Sequence, residues 1–106
     1  MKMTNSEFEE LKSEIRAFAQ ARDWEQFHTP KNLSMAITGE AGELAAEFQW
    51  LTAQQSALES LSSEQLEAIS LEIADIQIYL LRLADVLTID IADVVRRKIQ
   101  INENRF

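Results

Sequence analysis

Two pairs of acidic residues in the sequence have the types and the spacing needed to bind a divalent cation. The segment "GEAGEL" contains Glu40 and Glu43, and the segment "EIAD" contains Glu72 and Asp75. Residues three positions apart lie on the same side of a helix. If both segments are helical, each pair therefore projects its two carboxylates in one direction.

The helical period places these carboxylates where apolar side chains are expected. Glu40 falls between Leu33 and Leu44 on the apolar side of its segment. Glu72 and Asp75 border a stripe of isoleucines. Carboxylates in apolar surroundings are unfavourable, and they repel one another when they lie close together. A shared divalent cation removes both costs, although the same spacing is also common on solvated helix faces.

The ligand types favour a hard cation. Oxygen ligands suit Mg²⁺, with Mn²⁺ as an alternative. The chain has no cysteine, so it has no thiolate ligands and no disulfides. A di-iron site in a helical bundle needs Glu-x-x-His on two helices. This sequence has a single histidine, His28, so Mg²⁺ is favoured over iron.

The last predicted helix carries polar residues that suit a phosphate. Lys98, Asn102 and Arg105 continue a side of this helix that begins with aliphatic residues. Lysine and arginine donate well to phosphate oxygens. Cations near a helix C-terminus are also favourable without any ligand. The phosphate-binding interpretation therefore depends on the neighbouring carboxylates.

Ring side chains near the acidic segments could hold a nucleobase. Trp24 and His28 precede the second helix, Trp50 ends it, and Tyr79 follows Asp75 by one turn. Stacking of a base on an aromatic ring contributes about 1–3 kcal/mol. Tryptophan is also frequent in cores and subunit interfaces. Both roles are compatible if the pocket lies between subunits.

Composition limits the class of ligand and partner. The 106 residues include 10 basic and 18 acidic residues, which gives a formal charge of −8. This balance argues against binding polymeric nucleic acid but is compatible with a small anion that a cation receives. We expect no membrane span, because no apolar stretch is long enough, and no signal peptide, because the first residues lack an apolar core. We therefore expect a cytoplasmic protein with one domain over residues 1–106.

Four helices must position these residues, because the helical period dominates the chain. Residues 22–32 form a connection or helix entry around Pro30, and residues 52–62 form a polar connection with a short helical turn. The third helix is apolar on two sides, which indicates one side facing its own subunit and the other facing a partner. We predict an all-α, four-helix bundle-like subunit that forms a homo-oligomer. The predicted helices run over about Ser6–Ala21, Pro30–Leu51, Ser62 or Ser63 to Leu87, and from near Asp90 onward.

Taken together, these segments resemble the MazG-like nucleotide pyrophosphohydrolases, and within them the dCTP pyrophosphatase branch. The resemblance covers residues from about Phe8 to Phe106 and is carried by "RDWEQFH", "GEAGELAAEFQW", "EIADIQIYL" and "KIQINENRF". The family signature, ExxE followed after a gap by ExxD, reads here "EAGE" and "EIAD". One departure is Ala46, where relatives of this branch carry a glutamate, whereas this chain has Glu47.

The resemblance implies a Mg²⁺-dependent enzyme that cleaves (deoxy)nucleoside triphosphates, including dCTP or modified dCTP, to the monophosphate and pyrophosphate. Its role would be house-cleaning of nucleotide pools, and its assembly a homodimer or homotetramer with pockets at subunit contacts. The implied catalytic residues and metal ligands are Glu40, Glu43, Glu72 and Asp75. The implied nucleotide-binding residues are Trp24, His28, Lys31, Asn32, Trp50, Tyr79, Lys98, Asn102 and Arg105.

The residues alone leave two other functions open. One is a non-catalytic helical interaction module whose carboxylates are merely solvated. The other is a related hydrolase of a nucleoside diphosphate, a phosphoribosyl nucleotide or a damaged nucleotide. Aromatic rings stack on any base, so the preference for cytosine rests on the resemblance alone.

Overall fold

The computed structural model describes the backbone of residues 5–106 and the side chains of residues 7–106. Within this part of the chain there are four α-helices, two single turns of 3₁₀ helix and no strand. The predicted all-α class with four main helices is confirmed. The α-helices are α1 (Asn5–Ala21), α2 (Pro30–Phe48), α3 (Ser63–Val86) and α4 (Ile91–Arg105), and the 3₁₀ turns are Glu25–Phe27 and Leu58–Ser60.

Polar side chains set the starts of α2, α3 and α4. The Thr29 hydroxyl accepts a hydrogen bond from a backbone N–H in the first turn of α2. Ser62 and Gln65 form a reciprocal capping box at the start of α3. The Asp90 carboxylate caps α4 in the same way as Thr29 caps α2. These caps satisfy N–H groups that the helices themselves leave unpaired, and they explain why the predicted starts agree with the structure.

The end of α2 differs from the prediction. The helix ends at Phe48 rather than Leu51, because the N–H of Leu51 donates to the Phe48 carbonyl at 2.9 Å. This bond to the third preceding residue tightens the last turn into a non-α geometry. Trp50 consequently lies beyond the helix, where it is 87% exposed.

A tight turn between α3 and α4 fixes the direction of α4. Thr88 closes α3 with a φ of 53°, and the N–H of Ile89 donates back to the carbonyl of Ala84 at 2.8 Å. The buried ammonium of Lys12, on α1, donates to the Ile89 carbonyl at 2.9 Å. The turn is therefore anchored to α1, and the first residues of α4 pack there.

The subunit is open rather than compact. Helix α3 packs on both α1 and α2, whereas α4 packs mainly on α1. The radius of gyration is 16.2 Å, compared with about 13 Å for a compact chain of this length. Both apolar sides of α3 contribute to the core, since Ile69 on one side and Leu81 on the other are buried. The buried apolar residues of the described chain are Ala19, Leu33, Ile69, Leu81, Ala84 and Ala92.

We expect Leu33→Ala to lower the free energy of unfolding by about 2–5 kcal/mol. Leu33 on α2 is 1% exposed, so truncation of its side chain leaves a cavity in a small core. Chemical denaturation followed by circular dichroism measures the change. The control is Leu58→Ala, where the side chain is 70% exposed, and the expected change is within about 0.5 kcal/mol. Equal losses for the two variants would contradict this description of the core.

Candidate active site

Three carboxylates converge where α2 packs on α3. Glu40 and Glu43 come from α2 and Glu72 comes from α3. Each offers one carboxylate oxygen, and these oxygens all lie within 4.8 Å of one another. The Oε2 atoms of Glu40 and Glu72 are buried and have no hydrogen-bond partner among the described residues. We call these three residues the carboxylate cluster.

The carboxylate cluster is electrostatically unfavourable without a cation. The pKa of Glu40 is raised, first by burial and then by the charges of Glu43 and Asp75. The pKa of Glu72 is also raised, first by burial and then by the charge of Glu43 and a hydrogen bond with its carboxyl group. Both shifts mean that ionisation at these positions is less favourable in the folded chain than in the unfolded chain. A divalent cation would relieve the same repulsion without a proton.

Two further acidic residues flank the carboxylate cluster. Asp75 is close enough to raise the pKa values of Glu40 and Glu72, but it is more exposed and is not one of the three converging groups. Glu47, one turn beyond Glu43, also raises the pKa of Glu72. The roles of Glu40, Glu43, Glu72 and Asp75 as metal ligands and catalytic groups stay predictions.

A cavity of about 190 Å³ adjoins the carboxylate cluster through Asp75. Its walls come from α1, from the connection before α2, and from α3. Three predicted nucleotide-binding residues, Trp24, His28 and Tyr79, line it. We call it the aromatic cavity. Its full lining is Ile15, Phe18, Ala19, Trp24, His28, Asp75, Ile78, Tyr79 and Arg82.

Arg82 and His28 form part of the polar lining of the aromatic cavity, and an ion-pair network behind them holds Arg82. Arg82 is 5% exposed and donates from Nε to His28 Nδ1 at 3.1 Å and from Nη1 to Asp85 at 3.2 Å. Arg16 donates two further hydrogen bonds to the Asp85 carboxylate, at 2.8 and 2.6 Å. The hydrogen bond from Arg16 is the main cause that lowers the pKa of Asp85. Asp85 is therefore ionised and balances the two arginines.

Sequence reasoning missed Arg82. A signal for it exists, because "YLLRLAD" places one arginine in an apolar run, on the side of α3 that carries Asp75 and Tyr79. The apolar wall from α1, which includes Ile15 and Phe18, was also missed. Nothing in the spacing of α1 distinguishes those residues from ordinary core positions.

Within one chain, the structure does not bring the other predicted nucleotide-binding residues to the site. The Asn32 side chain instead donates to the Phe27 carbonyl at 3.0 Å, which supports the entry to α2. The basic end of α4 does not line the aromatic cavity. The nucleotide-binding roles of all the predicted residues outside this cavity stay predictions. The residues outside the cavity lining are Lys31, Asn32, Trp50, Lys98, Asn102 and Arg105.

The arrangement suits a ligand with two different ends. Hard oxygen ligands in the carboxylate cluster can hold a cation such as Mg²⁺ and, with it, an anionic group. The aromatic cavity can hold a flat ring by stacking and by hydrogen bonds at its polar wall. A nucleotide has both an anionic end and a flat ring.

Comparison with known proteins agrees with this geometry. The model of the MazG-like family matches residues 35–106. The chain is 43% identical to dCTP pyrophosphatase 1 of Homo sapiens and 39% identical to that of Mus musculus, each over 89 residues and 84% of this chain. It spans only about half the length of these curated relatives (52% in each).

A solved structure matches the whole chain. The crystal structure of a pyrophosphatase from Archaeoglobus fulgidus superposes with a TM-score of 0.87 at 37% sequence identity. The match covers 100% of this chain and 97% of that one. Among the described residues, no helix has the length and apolar character required to cross a membrane.

We expect Mg²⁺ to raise the Tm, and to do so more strongly near neutral pH than in acid. The pKa values of Glu40 and Glu72 are raised on folding. These pKa shifts therefore stabilise the folded chain fully below the unfolded glutamate pKa of about 4.3. The stabilisation is lost as pH rises through the raised pKa values of the folded state. At about 100 times its Kd, a cation that binds only the folded state raises Tm on the order of 10 °C. Thermal unfolding with and without Mg²⁺ at several pH values measures the effect.

Two glutamine variants control this measurement. Glu40→Gln should lose most of the Mg²⁺-dependent rise in Tm. Without a cation near neutral pH, its Tm should equal or exceed that of the wild type, because one repelling charge is gone. Glu67→Gln, at an exposed position of α3, should retain the shift. A full Mg²⁺ shift in Glu40→Gln would contradict a cation site at the carboxylate cluster.

Proposed function

The chain belongs to the MazG-like family, and from that premise we propose that it hydrolyses nucleoside triphosphates to the monophosphate and pyrophosphate. The observation that carries the proposal is the pair of buried, unpartnered carboxylate oxygens of Glu40 and Glu72. They lie within a cluster that adjoins an aromatic cavity. A solvated helix face would leave no such oxygens buried.

The donor set fits a divalent cation. Carboxylate oxygens on two helices, within 4.8 Å of one another, are hard ligands of the kind that Mg²⁺ and Mn²⁺ take. Glu40, Glu43 and Glu72 would hold the ion, with Asp75 at the edge that faces the aromatic cavity. When bound, the ion neutralises the carboxylates and polarises phosphate oxygens.

The chain's own groups would supply the rest of the reaction. A carboxylate of the cluster that retains a free oxygen would orient a water molecule and accept its proton during attack on the α-phosphorus. The bond from the α-phosphorus to its bridging oxygen breaks, and pyrophosphate leaves. The fixed positions of the carboxylates on two packed helices hold these groups in place for the reaction. Burial of Glu40 and Glu72 favours proton acceptance, because it raises their pKa values.

The aromatic cavity would hold the base. Trp24, His28 and Tyr79 form its ring-bearing wall. Two relatives carry the name dCTP pyrophosphatase 1, which supports a deoxycytidine nucleotide, or a modified one, as the first substrate to examine. A role in clearing the cytoplasmic nucleotide pool would follow from such an activity.

A second copy of the chain would complete the site. The outer half of α4 exposes aliphatic side chains, Ile99 among them at 52%, and α3 leaves Leu71 and Ile73 half exposed. This apolar surface and the open shape favour a homodimer or homotetramer. Lys98, Asn102 and Arg105 do not line the site of their own chain. We propose that these residues of α4 reach the triphosphate bound by the other copy.

The rival functions differ in their products. A helical interaction module would release no pyrophosphate from any nucleotide. A hydrolase of nucleoside diphosphates would release orthophosphate. A panel of the deoxynucleoside triphosphates and dCDP with Mg²⁺, assayed separately for pyrophosphate and orthophosphate, distinguishes these activities.

We expect Glu72→Gln to reduce Mg²⁺-dependent pyrophosphate release at least about 100-fold, since the substitution removes a charged ligand oxygen. Helical content by circular dichroism should be unchanged, because glutamine has the same shape and a comparable helix propensity. The matched control, Glu67→Gln on the same helix, should retain activity. Normal turnover by Glu72→Gln would exclude the carboxylate cluster as the catalytic site.

We expect inactive Glu72→Gln subunits and inactive Lys98→Met subunits to restore activity when they are mixed and allowed to exchange. If α4 serves the other subunit of a two-fold dimer, each mixed dimer contains one intact site, and recovery is about one quarter of wild-type activity. Analytical ultracentrifugation confirms that exchange has occurred. Exchange without recovery would mean that Lys98 does not act across the interface.

A further inference from the structure

The hydrogen bond between Arg82 and His28 determines which ring nitrogen of His28 carries a proton. Arg82 Nε lies 3.1 Å from His28 Nδ1. A guanidinium only donates hydrogen bonds, so Nδ1 must present a lone pair. In the neutral imidazole the proton is then on Nε2, and that nitrogen is a donor.

Arg82 is held so that it cannot easily exchange this contact for another. Its side chain is buried, and its Nη1 donates to Asp85 at 3.2 Å. Asp85 is in turn fixed by two hydrogen bonds from Arg16, at 2.8 and 2.6 Å. A planar guanidinium anchored at one side by a carboxylate presents its Nε–H in one direction. The network therefore holds the Arg82 Nε–H as a fixed hydrogen-bond donor to His28 Nδ1.

The surroundings also keep His28 neutral. Its pKa is lowered, first by burial and then by the positive charge of Arg82, with Glu25 opposing the shift. A second proton on the ring would have to be at Nδ1, where it would face the Arg82 donor. The doubly protonated ring is therefore disfavoured by both geometry and charge.

The other nitrogen of His28 is accessible. His28 lines the aromatic cavity with Trp24 and Tyr79, and the Trp24 ring centroid lies 6.3 Å from that of His28. Nε2 is not among the buried unpartnered atoms. No hydrogen bond joins Nε2 to another group in residues 7–106. A bound ring in the cavity can therefore reach it.

We propose that Arg82 is a positioning residue that fixes His28 as a hydrogen-bond donor at Nε2, so that the cavity selects bases that present an acceptor there. The acceptor is a carbonyl oxygen or an unprotonated ring nitrogen, such as O2 or N3 of cytosine, and not an amino group. The proposal rests on the proposed function, because it assumes that the nucleotide base occupies the aromatic cavity. Arg82 acts through His28 and does not itself contact the reacting atoms.

NMR of the wild-type protein tests the first step without any substrate. His28 is the only histidine in the sequence, so long-range ¹H–¹⁵N correlation spectra of the untagged chain contain one imidazole. We expect Nδ1 to be unprotonated and Nε2 protonated at neutral pH. A proton on Nδ1, or an exchanging mixture of the two forms, would overturn the proposal. This result does not depend on whether the protein hydrolyses nucleotides.

The second step uses a non-hydrolysable probe, α,β-imido-dCTP with Mg²⁺. Binding should leave the proton on Nε2, shift its resonance and slow its exchange with water. A proton that moves to Nδ1, or an Nε2–H signal unchanged by saturating probe, would overturn base reading by His28. Failure of the probe to bind would instead count against the proposed function, while the tautomer of the free protein still reports on Arg82.

Two arginine variants separate positioning from general stability. In Arg82→Met, both imidazole tautomers should appear, and kcat/KM for dCTP should fall about tenfold, mainly through KM. In Arg16→Met, which removes an Asp85 partner but not the His28 contact, the tautomer should stay at Nε2–H. A single Nε2–H tautomer in Arg82→Met would show that Arg82 does not set it. If Arg82→Met does not fold, a proton on Nδ1 in the wild-type spectra would still overturn the proposal.

Discussion

Repulsion among the carboxylates of Glu40, Glu43 and Glu72 is the constraint on which the rest of the molecule depends. The packing of α2 on α3 brings these groups within 4.8 Å of one another and buries two of their oxygens without partners. The packing of α2 on α3 must offset this repulsion. This convergence of acidic groups costs stability, as is common where function needs groups that folding alone would separate. The cation that the site fits would serve both stability and chemistry.

Further along α3, the charged side chains attract rather than repel one another. There the charges of Arg16, Arg82 and Asp85 are paired with one another, so burial carries a smaller electrostatic cost. Helix α3 therefore carries unpaired acidic charge where it packs on α2 and paired charges where it packs on α1. Asp75 lies at the boundary, since it acts on the carboxylate cluster and also lines the aromatic cavity. This division creates two different electrostatic surroundings within one small domain, as the proposed binding of a nucleotide's phosphates and base would require.

The small core explains the shape of the subunit. Few apolar side chains are fully buried in the described chain, and many on α3 and α4 remain partly exposed. A chain of this length has limited capacity to bury its own surface, and association is a usual remedy. The anchoring of the α3–α4 turn by Lys12 directs α4 along α1 and away from the site of its own chain. The same contact that completes the fold therefore leaves the basic end of α4 available to another molecule.

The sequence by itself determined the helices and the acidic pairs. Caps such as Ser62 and Asp90, and apolar spacing, are local signals, so the helix starts and the all-α class could be predicted from neighbouring residues alone. The spacing of Glu40 and Glu43 likewise fixed their common direction. Only the tertiary structure decided that Glu72 converges with them while Asp75 stands at the edge, because that depends on how α3 is rotated against α2. Local spacing also gave no sign that Arg82 pairs with His28, since the partners are distant in sequence and meet only when α3 packs beside the connection before α2.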